Sequence, residues 1–492
     1  MNPILVVFLA LLGALFTLIA IMLLRTALCK PNETKKQEAT LHDVDENEVA
    51  RHLADAVRIP TVSLKNLDED GTVFYRYHDF LEKTYPVFHQ TATKEIVNKY
   101  TLFYTIKGKN PSLKPGCFLA HQDVVPAVNE SEWSYPPFSG TITDGYVYGR
   151  GAQDMKSQMI ALLDAMETLL KEGFVPDRDL YFIFGHDEEP NTSDGAPVVS
   201  KLLKERGIEL EFVVDEGGTI VDGKVIGVNK IIGLIGTCEK GYVDIKLTAT
   251  KDGGHASNPR RPSSLSIIGK AIYEIEKHPS KAKWTKSSIE MFRYLAPYMP
   301  FAIRFVFANR DILSPLIKFV LSKAHPVTNS IVRTTYAPTT CKGSNANNVI
   351  PKTSTANVNC RVLTGETTDE TLARIQKIAG KNVICEKVGT ATEPTKVSNT
   401  DSKAYADLTK SISEAFPELV LAPYPFIAGT DSRYFYPVCE NVFRFTPFLV
   451  SLEDQNRIHG IDERASIEGL KRATQFFIAC IENMSKEYNG NI

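Results

Sequence analysis

Seven side chains in this sequence have the types and spacing to manage a metal ion and the protons around it. They are His121 and Asp123 in Leu-Ala-His-Gln-Asp-Val-Val-Pro, Asp154, Glu188 and Glu189 in His-Asp-Glu-Glu-Pro, Asp215 in Val-Asp-Glu-Gly-Gly, and His459 in Ile-His-Gly. One imidazole stands at each end of the set and carboxylates lie between, with no thiolate. Nitrogen and oxygen donors without sulfur suit zinc, cobalt or manganese, and zinc most of all. Each residue alone has an ordinary explanation: a strand-end turn, a helix N-cap at Asp154, a solvated acidic loop at 187–189. Together, each follows a strand or opens a helix, and that shared placement argues for one site.

The elements that must position them read as alternating strands and helices. The apolar run 117–120 ends at His121, 180–184 stops at Gly185, and 211–214 ends at Asp215. Between them, 155–170 carries Met159, Leu162, Leu163, Met166, Leu169 and Leu170 at helical spacing. This alternation predicts an α/β fold whose central sheet is mainly parallel and flanked by helices. In such sheets ligands bind beyond the carboxyl ends of the strands, where these residues fall. The section 237–392 differs. Strands over 241–251, 357–363 and 382–388 and helices over 264–277 and 369–379 suit an inserted two-layer α/β unit of ferredoxin-like order, with an apolar, proline-punctuated stretch, 292–324, between its halves. The expected organisation is 1–29 anchor or signal, 30–47 linker, 48–236 catalytic, 237–392 inserted, 393–492 catalytic again.

Composition narrows the classes. The chain has 492 residues, 43% hydrophobic and 23% charged, which is ordinary for a globular protein with a real core. Lys+Arg 56 against Asp+Glu 58 leaves a net charge of -2, so no basic excess is there to neutralise a phosphate backbone, and no nucleic-acid partner is expected. The eight cysteines are scattered without a C-x-x-C pair, forming neither a disulfide scaffold nor a zinc-finger spacing. One or two bridges would fit, but most cysteines are expected to be small buried residues.

The run 3–24 has no charged side chain and is long enough to cross a bilayer. A cleaved signal peptide has a shorter apolar core and a basic start, although Ala27 and Cys29 are small enough for cleavage. Arg25, Lys30, Lys35 and Lys36 after the run would keep that flank cytosolic. The acceptor triplets at Asn32, Asn129, Asn191 and Asn483 suit a lumenal body instead. The expectation is the secretory pathway, with an uncleaved membrane anchor ahead of a removed signal; the catalytic body is then lumenal or extracellular, or secreted after cleavage.

Taken together, L-A-H-Q-D-V-V-P (119–126), W-S-Y-P-P-F-S-G (133–140), D-G-Y-V-Y-G-R-G-A-Q-D-M-K (144–156), G-H-D-E-E-P (185–190), V-D-E-G-G (214–218), G-G-H-A-S-N-P (253–259), N-V-I-P (348–351), G-T-D-S-R (429–433) and I-H-G-I-D-E-R (458–464) carry a family likeness. The chain resembles the aminoacylase/carboxypeptidase family of dinuclear-zinc metallopeptidases over about 48–485, in its carboxypeptidase S and N-fatty-acyl-amino-acid branch. The resemblance implies two zinc ions per subunit, one held by His121, Asp154 and Asp215, the other by Asp154, Glu189 and His459, so that Asp154 bridges. It implies that Asp123 fixes the tautomer of His121, that the Asp154–Met155 bond is cis, and that Glu188 is the general base acting on a zinc-bridged water. It implies too that 237–392 is a lid or dimerisation domain, whose stretch 292–324 could line a channel for a fatty chain, touch a membrane, or form a helical hairpin closing the lid core. His255 would stabilise the oxyanion, often across a homodimer interface; Arg361 would grip a substrate carboxylate; Asn348, Gly429 and Thr430 would add substrate contacts. The activity implied is hydrolysis, or in reverse formation, of an N-acyl and above all N-fatty-acyl amino acid, or else removal of C-terminal residues from short peptides. A third reading, a membrane-tethered binding protein on a dead hydrolase fold, is opposed by the complete donor set and the intact Glu188.

Overall fold

The structure is a computed structural model that describes residues 2–31, 41–63, 71–190 and 192–487. It divides into two units. The first comprises Asn32–Thr237, Ser398–Pro423 and Thr430–Ile492; the second comprises Met1–Pro31, Cys238–Val397 and Tyr424–Gly429.

In the first unit, four strands run parallel side by side: Leu180–Gly185, Gly116–His121, Phe212–Asp215 and Val442–Arg444. Leu-Tyr-Phe-Ile-Phe-Gly is apolar at every position but the last, and all six residues are buried, as a strand covered on both faces requires. Antiparallel strands Thr101–Ile106 and Thr93–Val97 extend one side. On one face Phe118, Phe182, Phe184 and Val214 pack with Met159 and Leu163 of helix Lys156–Lys171 and with Phe476 and Phe477 of helix Ile467–Met484. On the other, Cys117, Leu119, Ile183 and Val213 pack with Val199 and Leu203 of helix Ala196–Glu205 and with Phe435. Registers of His121 against Gly185 and of Asp215 against Arg444 bring the carboxyl ends of the strands to one edge. The fold is thus the mixed α/β architecture with a mainly parallel centre that the alternation predicted.

The second unit holds an antiparallel sheet in the order Thr335–Lys342, Thr353–Val362, Gly241–Thr250, Ile384–Thr392. Helices Ser264–Lys277 and Thr368–Ala379 supply Ile268, Ile275 and Ile375 to a core with Val243, Ile245, Leu247 and Val358. This is the strand-helix-strand-strand-helix-strand order expected. The strand Thr335–Lys342 gave no periodic signal, for it is largely exposed and its register shifts at Pro338, which has no N–H to give a ladder. The stretch 292–324 is helical, within Lys286–Leu295, Phe301–Ala308 and Arg310–Ala324.

Residues Pro3–Leu28 form one helix, long and apolar enough to cross a membrane. All eight cysteines are free, and six of them are buried. Of the acceptor triplets, Asn129 is exposed, whereas Asn483 is buried and its amide donates to Ser411 and Glu414, so it offers nothing to a glycosyl donor. Asn32 and Asn191 lie outside the described residues.

One buried histidine beneath the site has a consequence for stability. His78 faces the Gln122 side chain at 3.0 Å, and the Gln122 amide in turn donates to the carbonyls of Tyr100 and Phe184. Burial pushes its pKa down to about 4. The unfolded chain therefore binds a proton near pH 6.5 that the folded chain refuses until about pH 4. Stability from this residue is complete above pH 6.5 and falls as pH drops toward 4, by up to about 3 kcal/mol. Denaturant unfolding of the wild type is expected to weaken over that window, and a His78→Gln variant to show a shallower slope there; identical slopes would assign the acid sensitivity elsewhere.

Candidate metal centre

Strand ends and one tight segment build the centre. His121 is the last residue of its strand, 2% exposed at the side chain. Its Nδ1 lies 3.0 Å from the carbonyl oxygen of Asp123, which can only accept, so Nδ1 carries the hydrogen and Nε2 turns inward. The expected link from Asp123 is thus made chiefly by its backbone, the carboxylate standing at 3.4 Å. That carboxylate, fully buried, instead accepts from the backbone N–H groups of Glu188 and Glu189 and ties the two loops together.

Asp154 opens the helix Lys156–Lys171 by way of a cis bond to Met155, as expected. Its two oxygens serve different partners. Oδ1 lies 3.3 Å from His121 Nε2, and Oδ2 lies 3.1 Å from His459 Nε2. His459 also stands 3.2 Å from Glu189 Oε2. The acidic triplet splits by role: Asp187 turns back to accept from Thr192 and the Asp194 N–H, Glu189 meets His459, and Glu188 sits half-buried between. At Gly185, just before the triplet, a Cβ would lie 2.5 Å from Asp431 Oδ2, so only glycine lets that carboxylate approach the strand end.

One expectation changes. Asp215 was to share an ion with His121 and Asp154, but the structure sets Glu216 there, with Oε1 3.4 Å from His121 Nε2. Asp215 falls on the face of Val213, where Phe435 packs, and its two oxygens are taken up by the Ser432 N–H at 2.8 Å and the Glu216 N–H at 2.9 Å. Glu216 lies just past the strand's last residue, and the only signal for it was the acidic pair in Val-Asp-Glu-Gly-Gly.

Two further residues escaped the sequence reading. Glu463 and Arg150 form a fully buried ion pair. Glu463 Oε1 accepts from the N–H groups of Gln153 and Asp154, while Arg150 donates to the Gly460 carbonyl. This pair fixes the segments that carry Asp154 and His459 against each other.

Two donor groups result, His121 with Asp154 and Glu216, and Asp154 with Glu189 and His459. Their fit to a small cation can be tested on spacing. Ligands about 2.0–2.1 Å from a tetrahedral ion stand about 3.3 Å from each other. The four donor separations, 3.1, 3.2, 3.3 and 3.4 Å, match those edges. Glu189 Oε1 is buried without a hydrogen-bond partner among the described residues. The potential is strongly negative. Hydrogen bonds to Asp154 and Glu189 push the pKa of His459 up to about 10, and burial with the nearby Asp154 pushes Glu216 up to about 8. Burial works to raise Asp154, yet the two imidazoles hold it below the usual carboxylate range. Burial raises Glu188 well above its ordinary value, and Glu216, Asp431 and Glu189 add to the rise while His121 opposes it. Such a pocket draws positive charge, and the donors fit zinc.

The remaining expected residues are placed within their own units. His255, with Nδ1 2.8 Å from Ser257 Oγ, and Asn348, whose carbonyl accepts from the Ala256 N–H, are both exposed in the second unit. Arg361 of that unit lies over the Tyr242 ring, 4.9 Å from its centroid. Thr430, following Gly429, is buried, with its hydroxyl 2.6 Å from that of Ser432.

Residues 117–483 match the family model described as peptidase family M20/M25/M40. The chain is 37% identical over 453 residues to a probable carboxypeptidase S-like 2 of Dictyostelium discoideum, covering 91% of this chain and 86% of that one. It is 35% identical over 483 residues to the N-fatty-acyl-amino acid synthase/hydrolase PM20D1 of Xenopus tropicalis, covering 96% and 94%. Among solved structures, the M20 family metallo-carboxypeptidase Sso-CP2 from Sulfolobus solfataricus superposes with a TM-score of 0.66 at 16% identity, over 90% of this chain and 100% of that one. The chain belongs to the M20 peptidase family and is an enzyme of the metallo-hydrolase class.

The geometry makes Glu216 and Asp215 separable by metal content. Glu216→Ala is expected to lower bound zinc by about one equivalent per chain, since a site with two protein donors left binds weakly. Asp215→Asn is expected to keep its full complement. Elemental analysis after gel filtration decides; zinc lost only from Asp215→Asn would return the ligand role to Asp215.

Proposed function

We propose that this chain is a zinc-dependent amidohydrolase of N-acyl amino acids, N-fatty-acyl ones foremost, that can also run in the direction of condensation. The observation that carries the reading is the shared carboxylate of Asp154, one oxygen toward each imidazole, in a chain that aligns nearly end to end with a synthase/hydrolase of that class. In this reading His121, Asp154 and Glu216 hold one zinc ion, and Asp154, Glu189 and His459 hold the second. Such a pair, when bound, acidifies a water and polarises the scissile carbonyl.

The chain's own groups do the rest. Glu188, whose carboxyl is raised well above its ordinary value by burial and by neighbouring carboxylates, is assigned the proton of the attacking water and its return to the departing amine nitrogen. Asp123 keeps both Glu188 and His121 in place through the backbone N–H groups and carbonyl described above. His255 is assigned the oxyanion, in its own subunit or across a homodimer, and Arg361 the substrate carboxylate, for which a planar guanidinium supplies two parallel donors. Asn348, Gly429 and Thr430 are assigned further substrate contacts. Delivery to the secretory pathway by Pro3–Leu28, with Asn129 exposed for glycosylation, completes the proposal.

A carboxypeptidase acting on short peptides is the second reading, favoured by the likeness to a carboxypeptidase S-like relative. A panel of oleoyl-phenylalanine, acetyl-methionine and Gly-Leu with added zinc separates them: the first reading expects the highest kcat/KM on oleoyl-phenylalanine, and preference for Gly-Leu would overturn it. Glu188→Gln is expected to keep its zinc and lose at least about 10²-fold in kcat. Near-normal turnover in that variant would remove Glu188 from the role.

A further inference from the structure

The helical excursion of the second unit has an inner side and a bare outer one. Inside, Phe292 stacks on Phe307 with centroids 4.3 Å apart, and Trp284 meets Phe292 edge-on and donates from Nε1 to Ser314 Oγ at 2.8 Å. Ile317 and Leu321 of helix Arg310–Ala324 are buried on the same side. Outside, Phe301, Ile312, Leu316, Phe319 and Val320 are exposed by 39 to 64%. On the longer helix, Ile312, Leu316, Phe319 and Val320 follow the helical repeat and make one continuous apolar stripe. Lys323, a turn beyond Phe319, ends it with a cationic head on an apolar stem.

What covers the stripe is indicated by the first helix of the chain, which belongs to the same unit. In Pro3–Leu28 the buried residues are Met22 and Thr26, near the C-terminal end. There the Asn309 amide, at the junction of Phe301–Ala308 and Arg310–Ala324, donates to the Met22 carbonyl at 3.1 Å and to Thr26 Oγ1 at 3.3 Å. Arg25 pairs with Asp311 at 3.3 Å. From Pro3 to Met22 the helix carries no charge and rises about 30 Å, the depth of a bilayer's hydrocarbon core. In a bilayer crossed by that run, the Asn309 junction would stand at the level where the helix leaves the hydrocarbon, with the excursion spreading from it. Basic residues gather beside the stripe: Lys318, Lys323 and Arg333 line, with Phe319, a cavity of about 320 Å³, a charge pattern suited to anionic headgroups.

We propose that Pro3–Leu28 is retained as an anchor and that the outer stripe of 301–320 lies in the interface of the same phospholipid bilayer, as a second, monotopic attachment. The contact of Asn309 with Met22 and Thr26 is the hinge of this arrangement: it needs the helix to stay, and it sets the height of the stripe. The inference stands apart from the substrate reading, because it concerns only the second unit.

The test uses the full-length protein in nanodiscs of phosphatidylcholine with a minority of phosphatidylserine. Cys29 and Cys341, the two cysteines not buried, are changed to serine. Variants with one accessible cysteine, Leu316→Cys, Phe319→Cys and, as an exposed control on the sheet, Ile384→Cys, then carry an environment-sensitive fluorophore. Probes at 316 and 319 are expected to be quenched by spin-labelled lipid several-fold more than the probe at 384, and intact mass is expected to retain the first helix. Quenching no greater than at 384, or loss of residues 1–28 from protein recovered from cell membranes, would overturn the proposal. Probes shielded from an aqueous quencher yet untouched by spin-labelled lipid would assign the stripe to a second copy of the chain, and would overturn it equally.

Discussion

Crowded, buried negative charge is the constraint around which the first unit is organised. Asp123, Asp154, Glu189, Asp215 and Glu216 gather around His121 and His459, and crowding so many carboxylates is tolerable only where cations and N–H donors answer them. They are answered in two ways. Asp123 and Asp215 are satisfied by backbone N–H groups and become structural ties. Asp154, Glu189 and Glu216 face the imidazoles and keep the spacing of ligands around small ions. The sorting of like side chains into ties and donors is what makes the cluster a site.

Rigidity follows from the same economy. The buried Arg150–Glu463 pair removes two charges from water, which by itself adds little to stability, but it holds the backbone N–H of Asp154 and the carbonyl of Gly460. Asp154 precedes a helix and His459 lies in a loop more than 300 residues later; no local interaction could keep them 3.1 Å apart. Likewise Asp123 joins the loops after two neighbouring parallel strands. The parallel sheet gathers the loops, and these few polar ties convert proximity into register.

The second unit solves a different physical problem. Its antiparallel sheet buries one face under two helices, so its two central strands, Gly241–Thr250 and Thr353–Val362, alternate plainly in the sequence. The excursion between its halves is apolar on both sides, and one side is used up internally by the Phe292–Phe307 stack. Apolar surface left over beside an uncharged helix of bilayer length is a different kind of residue pattern from a core, although in one dimension the two look alike.

The α/β alternation, the strand ends at His121, Gly185 and Asp215, and the donor types were legible in the residue order, because hydrophobic period and residue chemistry are local properties. The residue order left Thr335–Lys342 unmarked, since an exposed strand with a proline at a register shift has no apolar period to read. It counted Asn483 as a glycan acceptor, although a helix packed nearby buries its amide. That Glu216 stands beside His121 came only from the folded chain, where the N–H groups of Ser432 and Glu216 take up the two oxygens of Asp215. The same holds for Arg150 with Glu463 and for the outer side of 301–320. Which face of a strand or helix meets a neighbour is set by segments far away in the chain, and one-dimensional periodicity carries the existence of a face but not its partner.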